Sequence, residues 1–250
     1  MYRSLRKGNT RPPLWFWIAL LIAVVGAFAV GAYLFLPQAR SILSGDYKRL
    51  MTWLGDSSDH QDWDIPAQAH CGRGAMLFPT EGFIGFDRGD SFRPGHLHSG
   101  FDIFSPAKQE GATPVYAAYD GYLTREASWL STVIIRHPDF QPIVNGAQIW
   151  TYYTHMASGD GTKSFIASAF PAGTYDVFVR AGTLLGYQGT WSGDPADPVG
   201  LHLHFSVVKS AGDGSYLNEG FMQNTFDPAP FLGVVLGEDG IYTCLSQSPN

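Results

Sequence analysis

The chain has 250 residues and a formal net charge of −6, from 16 Lys and Arg against 22 Asp and Glu. A surface that follows nucleic-acid phosphates needs clustered Lys and Arg, and the sequence beyond the N-terminus contains no such cluster, so we exclude nucleic acid as a partner. The 29 Gly and 16 Pro separate short runs of aromatic and β-branched residues. This pattern predicts an all-β (β-rich) domain with little helix beyond the N-terminus.

An uncharged apolar run at residues 14–36 follows four basic residues, Arg3, Arg6, Lys7 and Arg11. The run is long enough to cross a hydrocarbon core of about 30 Å as a helix. Basic flanks stay on the cytoplasmic side of a membrane. We therefore predict a cytoplasmic N-terminus at residues 1–13 and one transmembrane helix at residues 14–36. The rest of the chain is then extracytoplasmic, at a bacterial cytoplasmic membrane.

A cleaved signal peptide is the alternative interpretation of this run. Ala27-Phe28-Ala29 has the small-x-small form of a cleavage site, but the apolar residues continue to Leu36, beyond the roughly 7–15 residues of a signal-peptide core. No Cys lies near the end of the run, which excludes the lipid attachment of a lipoprotein. Both interpretations export the remainder of the chain.

The exported part divides by composition into three segments. Residues 37–68 are predicted to form a stalk and linker, because near-helical apolar spacing at residues 38–54 gives way to a polar, acidic stretch at 55–68. Residues 69–234 are predicted to be the folded domain, and residues 235–250 a C-terminal tail. Nine strands are predicted in the domain, at Ala75–Phe78, Gly100–Phe104, Pro114–Ala118, Gly121–Thr124, Thr132–Arg136, Gln148–Thr154, Val177–Val179, Thr183–Gln188 and Leu201–Val208.

Cys71 and Cys244 are the two cysteines of the chain, and they bracket the predicted domain. Export places them where a disulfide persists, and their pairing would tie the tail to the start of the domain. Two free thiols are the alternative, which the sequence leaves open.

Two motifs place paired polar side chains on extended segments. In His98-Ser99-Gly100-Phe101-Asp102 the imidazole and the carboxylate have even spacing, which puts both on one face of a strand. In Leu201-His202-Leu203-His204-Phe205 strict alternation sends both imidazoles to one face and the apolar residues to the other. Polar groups on an otherwise apolar strand need partners.

Two His and one carboxylate with an open fourth position form the ligand set of a catalytic zinc. The same set describes a non-haem Fe(II) site, so ligand type alone does not name the metal. His96 forms a second His-x-His pair with His98 and is the main ambiguity in the choice of ligands.

The order of motifs resembles the lysostaphin/LytM-type peptidases of the M23 metallopeptidase family. His-x-Gly-x-Asp at His98–Asp102 is followed about a hundred residues later by Gly-Leu-His-Leu-His-Phe-Ser-Val at residues 200–207. The resemblance covers roughly residues 75–234 and includes shorter matches, at residues 77–80, 115–121, 133–137, 152–156, 179–186 and 226–228.

The resemblance implies a zinc metalloendopeptidase whose domain has mainly antiparallel sheets around a groove with a metal site. By position, the family's zinc ligands fall on His98, Asp102 and His204, and its two other active-site histidines fall on His202 and His155. The implied reaction is attack of a zinc-bound water on a peptide carbonyl of peptidoglycan stem or cross-bridge peptides. The resemblance gives His202 the role of general base and His155 that of stabilising the oxyanion.

The chain departs from the family pattern in two long connections, at residues 157–175 and 189–200. Both are expected to border the cleft, where Tyr153 and Trp191 are candidate substrate contacts. Relatives that only bind the wall or activate other wall enzymes have often lost ligands, so an intact set favours catalysis. A wall-binding or regulatory module that acts through a partner, such as an amidase or a division protein, is the alternative function.

Overall fold

The computed structural model describes residues 12–35, 45–90 and 97–245. Helix α1 (Leu14–Phe35) is followed by α2 (Gly45–Gly55) and a 3-10 turn at Gln61–Trp63. The first strands are β1 (Phe83–Phe86), β2 (Phe101–Phe104), β3 (Pro114–Tyr116), β4 (Gly121–Arg125) and β5 (Val133–His137). Then come α3 (Gln141–Val144), β6 (Ile149–Thr154), β7 (Thr174–Val179), β8 (Leu184–Tyr187), β9 (His202–Lys209), a 3-10 turn (Met222–Asn224), β10 (Thr225–Phe226), α4 (Ala229–Leu232), β11 (Val235–Leu236) and β12 (Tyr242–Thr243).

One eight-stranded antiparallel sheet forms the body of the domain. Its strands run in the order β1-β2-β9-β6-β5-β4-β7, and β10 pairs with β9. Two smaller antiparallel pairs, β3 with β8 and β11 with β12, complete the strands of the described chain. The β-rich, mainly antiparallel fold predicted from the sequence is confirmed.

Strand β9 lies in the middle of this sheet and alternates as its sequence predicts. Leu203, Phe205 and Val207 are fully buried in the main apolar core. His202 and His204 alternate with them and therefore lie on the opposite face of the sheet. The core thus fixes which side of the sheet carries the polar residues.

Most of the predicted strands form, with shifted ends. Ala75–Phe78 has no strand in the structure, while β1 and the short strands β10, β11 and β12 were not predicted. Residues 75–78 are held instead by backbone hydrogen bonds to three other segments. The Met76 amide donates to the Phe231 carbonyl, the Leu77 amide to the Ala118 carbonyl and the Phe78 amide to the Ala69 carbonyl.

Helix α1 has the properties expected of the predicted membrane segment. The segment Leu14–Tyr33 is long and apolar enough to cross a membrane, and none of its residues is buried in the domain. A signal sequence near an N-terminus has the same properties, so the structure keeps both interpretations of the sequence.

The prediction that residues 37–68 form a stalk is wrong for the part that the structure describes. On α2, Trp53 is 1% exposed and its ring stacks on Phe83 of β1, with centroids 5.6 Å apart. Its indole Nε1–H donates to Asp64 Oδ1 over 2.9 Å. Ile65 is buried in the main core and its backbone bridges to Gly82. The acidic composition of this stretch concealed these apolar anchors, and the folded domain includes residues 45–68.

The predicted C-terminal tail also belongs to the folded domain as far as residue 245. Strands β11 and β12 form a hairpin in which Ile241 and Tyr242 are buried. Cys244, just beyond this hairpin, forms a disulfide with Cys71. The Tyr242 hydroxyl donates to Asp87 Oδ2 over 2.9 Å, which links the hairpin to the loop that precedes the first motif.

We expect Trp53→Ala to lower the free energy of unfolding by about 3–5 kcal/mol, the cost of deleting a large buried aromatic side chain. Leu54→Ala is the matched control on the same helix, because Leu54 is 47% exposed, and its effect should stay within about 1 kcal/mol. Urea unfolding of the full-length chain in detergent measures both. Equal, small effects would show that α2 is a peripheral stalk after all.

Candidate functional site

Three side chains from the two sequence motifs converge on one point at the sheet surface. His98 Nε2 lies 2.9 Å from Asp102 Oδ1 and 2.9 Å from His204 Nδ1. His204 Nδ1 lies 2.8 Å from the same Asp102 oxygen. All three residues are buried, and among the described residues they form the one group of His, Cys, Asp and Glu with the geometry to hold a metal ion.

The register of the sheet assembles this cluster. Asp102 on β2 is paired directly with His204 on β9, and Thr154 on β6 is the partner of His204 on the other side. Directly paired residues on one face have Cβ atoms about 4.5–5.5 Å apart, close enough to share an ion. His98 lies four residues before Asp102. Between them, Gly100 packs against the Phe205 carbonyl oxygen so closely that a Cβ atom at this position would lie 2.2 Å from that oxygen.

The tautomers of His98 and His204 are fixed by hydrogen bonds to oxygen atoms that can only accept. His98 Nδ1 lies 2.7 Å from the Asp87 carbonyl oxygen, so it carries the proton and leaves the lone pair of Nε2 facing the cluster. His204 Nε2–H donates to Glu219 Oε1 over 2.7 Å, which leaves the lone pair of Nδ1 facing the cluster. With the Asp102 oxygen, three lone pairs therefore meet at one point, and only a positive charge can stabilise them there.

The pKa values of the cluster reflect this demand for positive charge. Burial by itself raises the pKa of Asp102, but His98 and His202 outweigh burial and hold it well below its usual value. Burial lowers the pKa of His204, but the carboxylates of Glu219 and Asp102 outweigh burial and raise it to about 10. In the metal-free chain a proton on His204 supplies the positive charge, and a metal ion would take its place.

These three residues fit a zinc ion. Two imidazole nitrogens and one carboxylate oxygen are ligands that zinc takes in catalytic sites, with bonds of about 2.0–2.2 Å. Tetrahedral bonds of that length separate the donors by about 3.4 Å, so the ligands need to move apart by only about half an ångström. His96, the alternative ligand in the sequence, lies outside the described residues.

His202 and His155 lie beside the cluster without belonging to it. His202 Nδ1–H donates to the Gly200 carbonyl over 2.6 Å, and its Nε2 lies 3.4 Å from Asp102 Oδ1. His155 follows the end of β6 with a left-handed backbone, φ +70°. Its Nδ1–H donates to the Trp191 carbonyl over 2.6 Å, and its ring centroid is 4.6 Å from that of His202. The structure brings all five predicted residues together.

The protonation of His155 does not suit the role that the resemblance implies. Burial, together with the neighbouring His202 and His204, lowers its pKa to about 3, so the ring is neutral. Because Nδ1 holds the proton, Nε2 accepts hydrogen bonds and does not donate one to an oxyanion. His202 is the better candidate for holding a transferred proton, because the Asp102 carboxylate lies next to its Nε2.

Glu219 is the part of the site that the sequence analysis missed. It follows β9 in an irregular loop, and its Oε1 atom accepts hydrogen bonds from His204, from the Ser206 hydroxyl over 2.8 Å and from the Ser99 hydroxyl. Burial raises the pKa of Glu219, but His204 outweighs burial and lowers it to about 2, so the group is a carboxylate. A carboxylate on the far nitrogen of a ligating imidazole fixes its tautomer and orientation.

The two predicted substrate contacts have different outcomes. Tyr153 is fully buried and its hydroxyl accepts a hydrogen bond from the Ala118 amide, so the prediction that it contacts substrate is wrong. Trp191 is half-buried, and its ring lies against Gly161, where a Cβ atom would come within 2.5 Å of it. Its carbonyl orients His155, and a substrate contact by its ring stays a prediction.

His137, which ends β5, is a structural residue. Its two nitrogens bond the Asp120 carbonyl over 2.7 Å and the Thr151 hydroxyl over 2.9 Å. Burial lowers its pKa to about 4. It is therefore neutral and satisfied without any ligand.

No family model matches the chain, and no curated protein matches it. Among solved structures, a protein of Ruminococcus gnavus, described by its name as a glycyl-glycine endopeptidase LytM, is 22% identical with a TM-score of 0.35, over 53% of this chain and 45% of its own. Csd3 of Helicobacter pylori is 19% identical with a TM-score of 0.36, over 67% of this chain and 38% of its own. The catalytic domain of the prophage-encoded M23 protein EnpA of Enterococcus faecalis is 24% identical with a TM-score of 0.32, over 54% of this chain and 87% of its own.

The chain thus spans less than half the length of the first two of these structures. The neighbours include proteins named for the same family that the sequence motifs resemble. Because the identities are below 25% and the TM-scores below 0.5, the functional proposal rests on the site itself and on the motifs.

We expect Glu219→Ala to weaken zinc binding by about 10–100-fold, because His204 loses the partner that holds its tautomer. Glu219→Gln keeps an oxygen that accepts the Nε2 proton and should lose less. Competition with a chromogenic chelator on the full-length chain measures the zinc affinity. Glu126→Ala, at an exposed position, is the control. Unchanged affinity in Glu219→Ala would mean that Ser206 alone orients His204.

Proposed function

We propose that the chain is a zinc metalloendopeptidase that hydrolyses peptide bonds in peptidoglycan stem or cross-bridge peptides. The observation that carries the proposal is the meeting of three lone pairs, from His98, Asp102 and His204, beside two histidines that ligate nothing. A purely structural metal site has four protein ligands, whereas this one has three and leaves a position open, as catalytic zinc sites do.

Zinc at such a site would be held by His98, Asp102 and His204, and it supplies Lewis acidity and lowers the pKa of a coordinated water to about 7. The other functions fall to the chain's own residues. His202 Nε2 is free to take up a proton, and the Asp102 carboxylate at 3.4 Å stabilises the imidazolium that results. His155 Nε2 is an acceptor that can orient an O–H or N–H group of the reactants.

The loops around the site are tied to one another. Glu110 Oε1 accepts hydrogen bonds from the Thr190 hydroxyl and, over 3.0 Å, from the Gly159 amide. The Trp191 carbonyl and the Gly200 carbonyl, which orient His155 and His202, belong to the loop that contains Thr190. The loop between β8 and β9 therefore orients both histidines, and we propose that it also borders the substrate.

The proposed location follows from α1. A helix that can cross a membrane, followed by a domain with a disulfide, supports anchoring at the bacterial cytoplasmic membrane with the domain outside, because disulfides persist in oxidising compartments. The membrane and cell-wall peptides are then the partners of the chain. This position would bring the site within reach of the wall.

We expect His204→Ala to lose both bound zinc and hydrolysis, because it removes a ligand. His155→Ala and His202→Ala should keep stoichiometric zinc. His202→Ala should lose about 10²–10⁴-fold in kcat, the usual contribution of a general acid–base group, and His155→Ala should also lower kcat because it removes the acceptor that orients the reactants. Metal analysis of the purified full-length chain also separates zinc from iron. The exposed His70→Ala is the control. Full activity in both His155→Ala and His202→Ala would contradict the catalytic assignment.

The substrate class is tested by digestion of purified peptidoglycans of different cross-bridge type. The zinc-loaded chain should release new amino groups from at least one of them, and mass spectrometry of the products identifies the bond. His204→Ala, treated identically, should release none. Stoichiometric zinc without products from any wall would favour the alternative, a regulatory module that acts through an amidase or division partner.

A further inference from the structure

A cavity of about 370 Å³ opens directly beside the cluster. Glu219, which bonds His204, forms one of its walls, and the ring of Tyr152 lies 6.1 Å from the His204 ring. Six residues line the cavity, namely Trp129, Thr132, Tyr152, Tyr216, Asn218 and Glu219. A molecule bound at the metal cluster therefore has this cavity as its neighbour on the same face of the sheet.

The cavity has an aromatic wall that is held in place. Tyr152 on β6 and Tyr216 in the loop after β9 stack with ring planes 18° apart. The Trp150 ring supports Tyr216 from the side, at a centroid distance of 5.9 Å. Trp129, in the loop between β4 and β5, packs against the same buried apolar residues as the two tyrosines, namely Ile134, Trp150 and Val208. Three aromatic side chains, of Trp129, Tyr152 and Tyr216, thus line one cavity.

The charge of the wall is negative. Glu219 is a carboxylate whose hydrogen bonds from His204, Ser99 and Ser206 all go to Oε1, and no described residue gives a hydrogen bond to Oε2. No Lys, Arg or His is among the lining residues. Arg125 lies near the Trp129 loop, but its guanidinium donates to the carbonyls of Trp129 and Phe170.

Aromatic rings, together with a carboxylate oxygen that accepts no hydrogen bond from the described residues, are the recognition elements for an organic cation. We propose that this cavity binds the cationic amino group of a substrate side chain, such as that of lysine or another diamino acid, next to the peptide bond to be cleaved. The inference rests on the proposed peptidase function and adds its side-chain specificity. Glu219 Oε2 takes the ammonium charge, and the rings of Trp129, Tyr152 and Tyr216 contact its methylene groups and its charge.

The binding test uses the full-length chain in detergent, freed of zinc so that no peptide is cleaved. Four acetylated, amidated pentapeptides, alanine except for a central lysine, N-acetyl-lysine, norleucine or glutamate, are titrated by calorimetry. We expect the lysine peptide to bind about tenfold more tightly than the norleucine peptide, the scale of a partly desolvated cation–π contact. Equal affinities, or no binding of any peptide, would overturn the proposal.

Variants identify the cavity as the source of the preference. Trp129→Leu and Tyr216→Leu should reduce the lysine-over-norleucine ratio to below about threefold, and Trp129→Phe should restore part of it because a π-face returns. Tyr175→Leu is the matched control, since Tyr175 is 78% exposed on β7 outside the cavity. A ratio that stays tenfold in both leucine variants would place the recognition elsewhere and reject the cavity.

Hydrolysis by the zinc-loaded chain separates this inference from the proposed function. Cleavage of peptides without any preference for lysine would overturn the cavity assignment and leave the peptidase intact. A lysine preference in binding, with no cleavage of any peptide or wall, would support the cavity and reject the peptidase. Cleavage with a lysine preference that Tyr216→Leu removes supports both.

Discussion

The pairing of β9 with β2 on one side and β6 on the other is the constraint on which the site depends. It sets Asp102 opposite His204 and brings the end of β6, where His155 follows, to the same point. A shift of β9 by one residue would exchange its two faces, so that its histidines would face the core and its apolar residues would face the site. Leu203, Phe205 and Val207 oppose such a shift because they would leave the core, so apolar burial behind the sheet determines the chemistry in front of it.

Backbone carbonyls of the surrounding loops fix the orientation of the histidine rings. These carbonyls come from two loops, Asp87 from the loop after β1 and Trp191 and Gly200 from the loop between β8 and β9. Each accepts a hydrogen bond from the Nδ1 atom of one histidine, so His98, His155 and His202 all direct Nε2 toward the same space. The left-handed backbone of His155 costs on the order of 1–3 kcal/mol. This conformation turns the His155 ring away from the path of β6 and toward the site.

Asp102, His202 and His204 could be predicted because they follow the period of a strand. His98 and His155 lie outside the strands and were found through the known order of motifs. Glu219 could not be predicted, since it lies in an irregular loop whose spacing bears no relation to His204. The alternation of side chains along β6 would have corrected the prediction that Tyr153 contacts substrate. Tyr152 is paired with Ser206 on the face of the site, so its neighbour Tyr153 must face the core. The acidic residues at 56–64 masked Trp53 and Ile65. Trp53 is buried by its contact with Phe83 of β1, and Ile65 pairs with Gly82 just before β1, and composition reveals neither contact.

Glu219 connects the two halves of the site through the two oxygens of one carboxylate. Oε1 fixes the imidazole that faces the metal position, and Oε2 belongs to the group that lines the aromatic cavity. If an ammonium group occupies the cavity, it draws on the same negative charge that stabilises a cation on the far side of His204. Coupling between two binding sites is reciprocal, so a metal at the cluster and a cationic side chain in the cavity would each alter the affinity for the other. The site would therefore sense the charge of its substrate through the ligand that holds its metal.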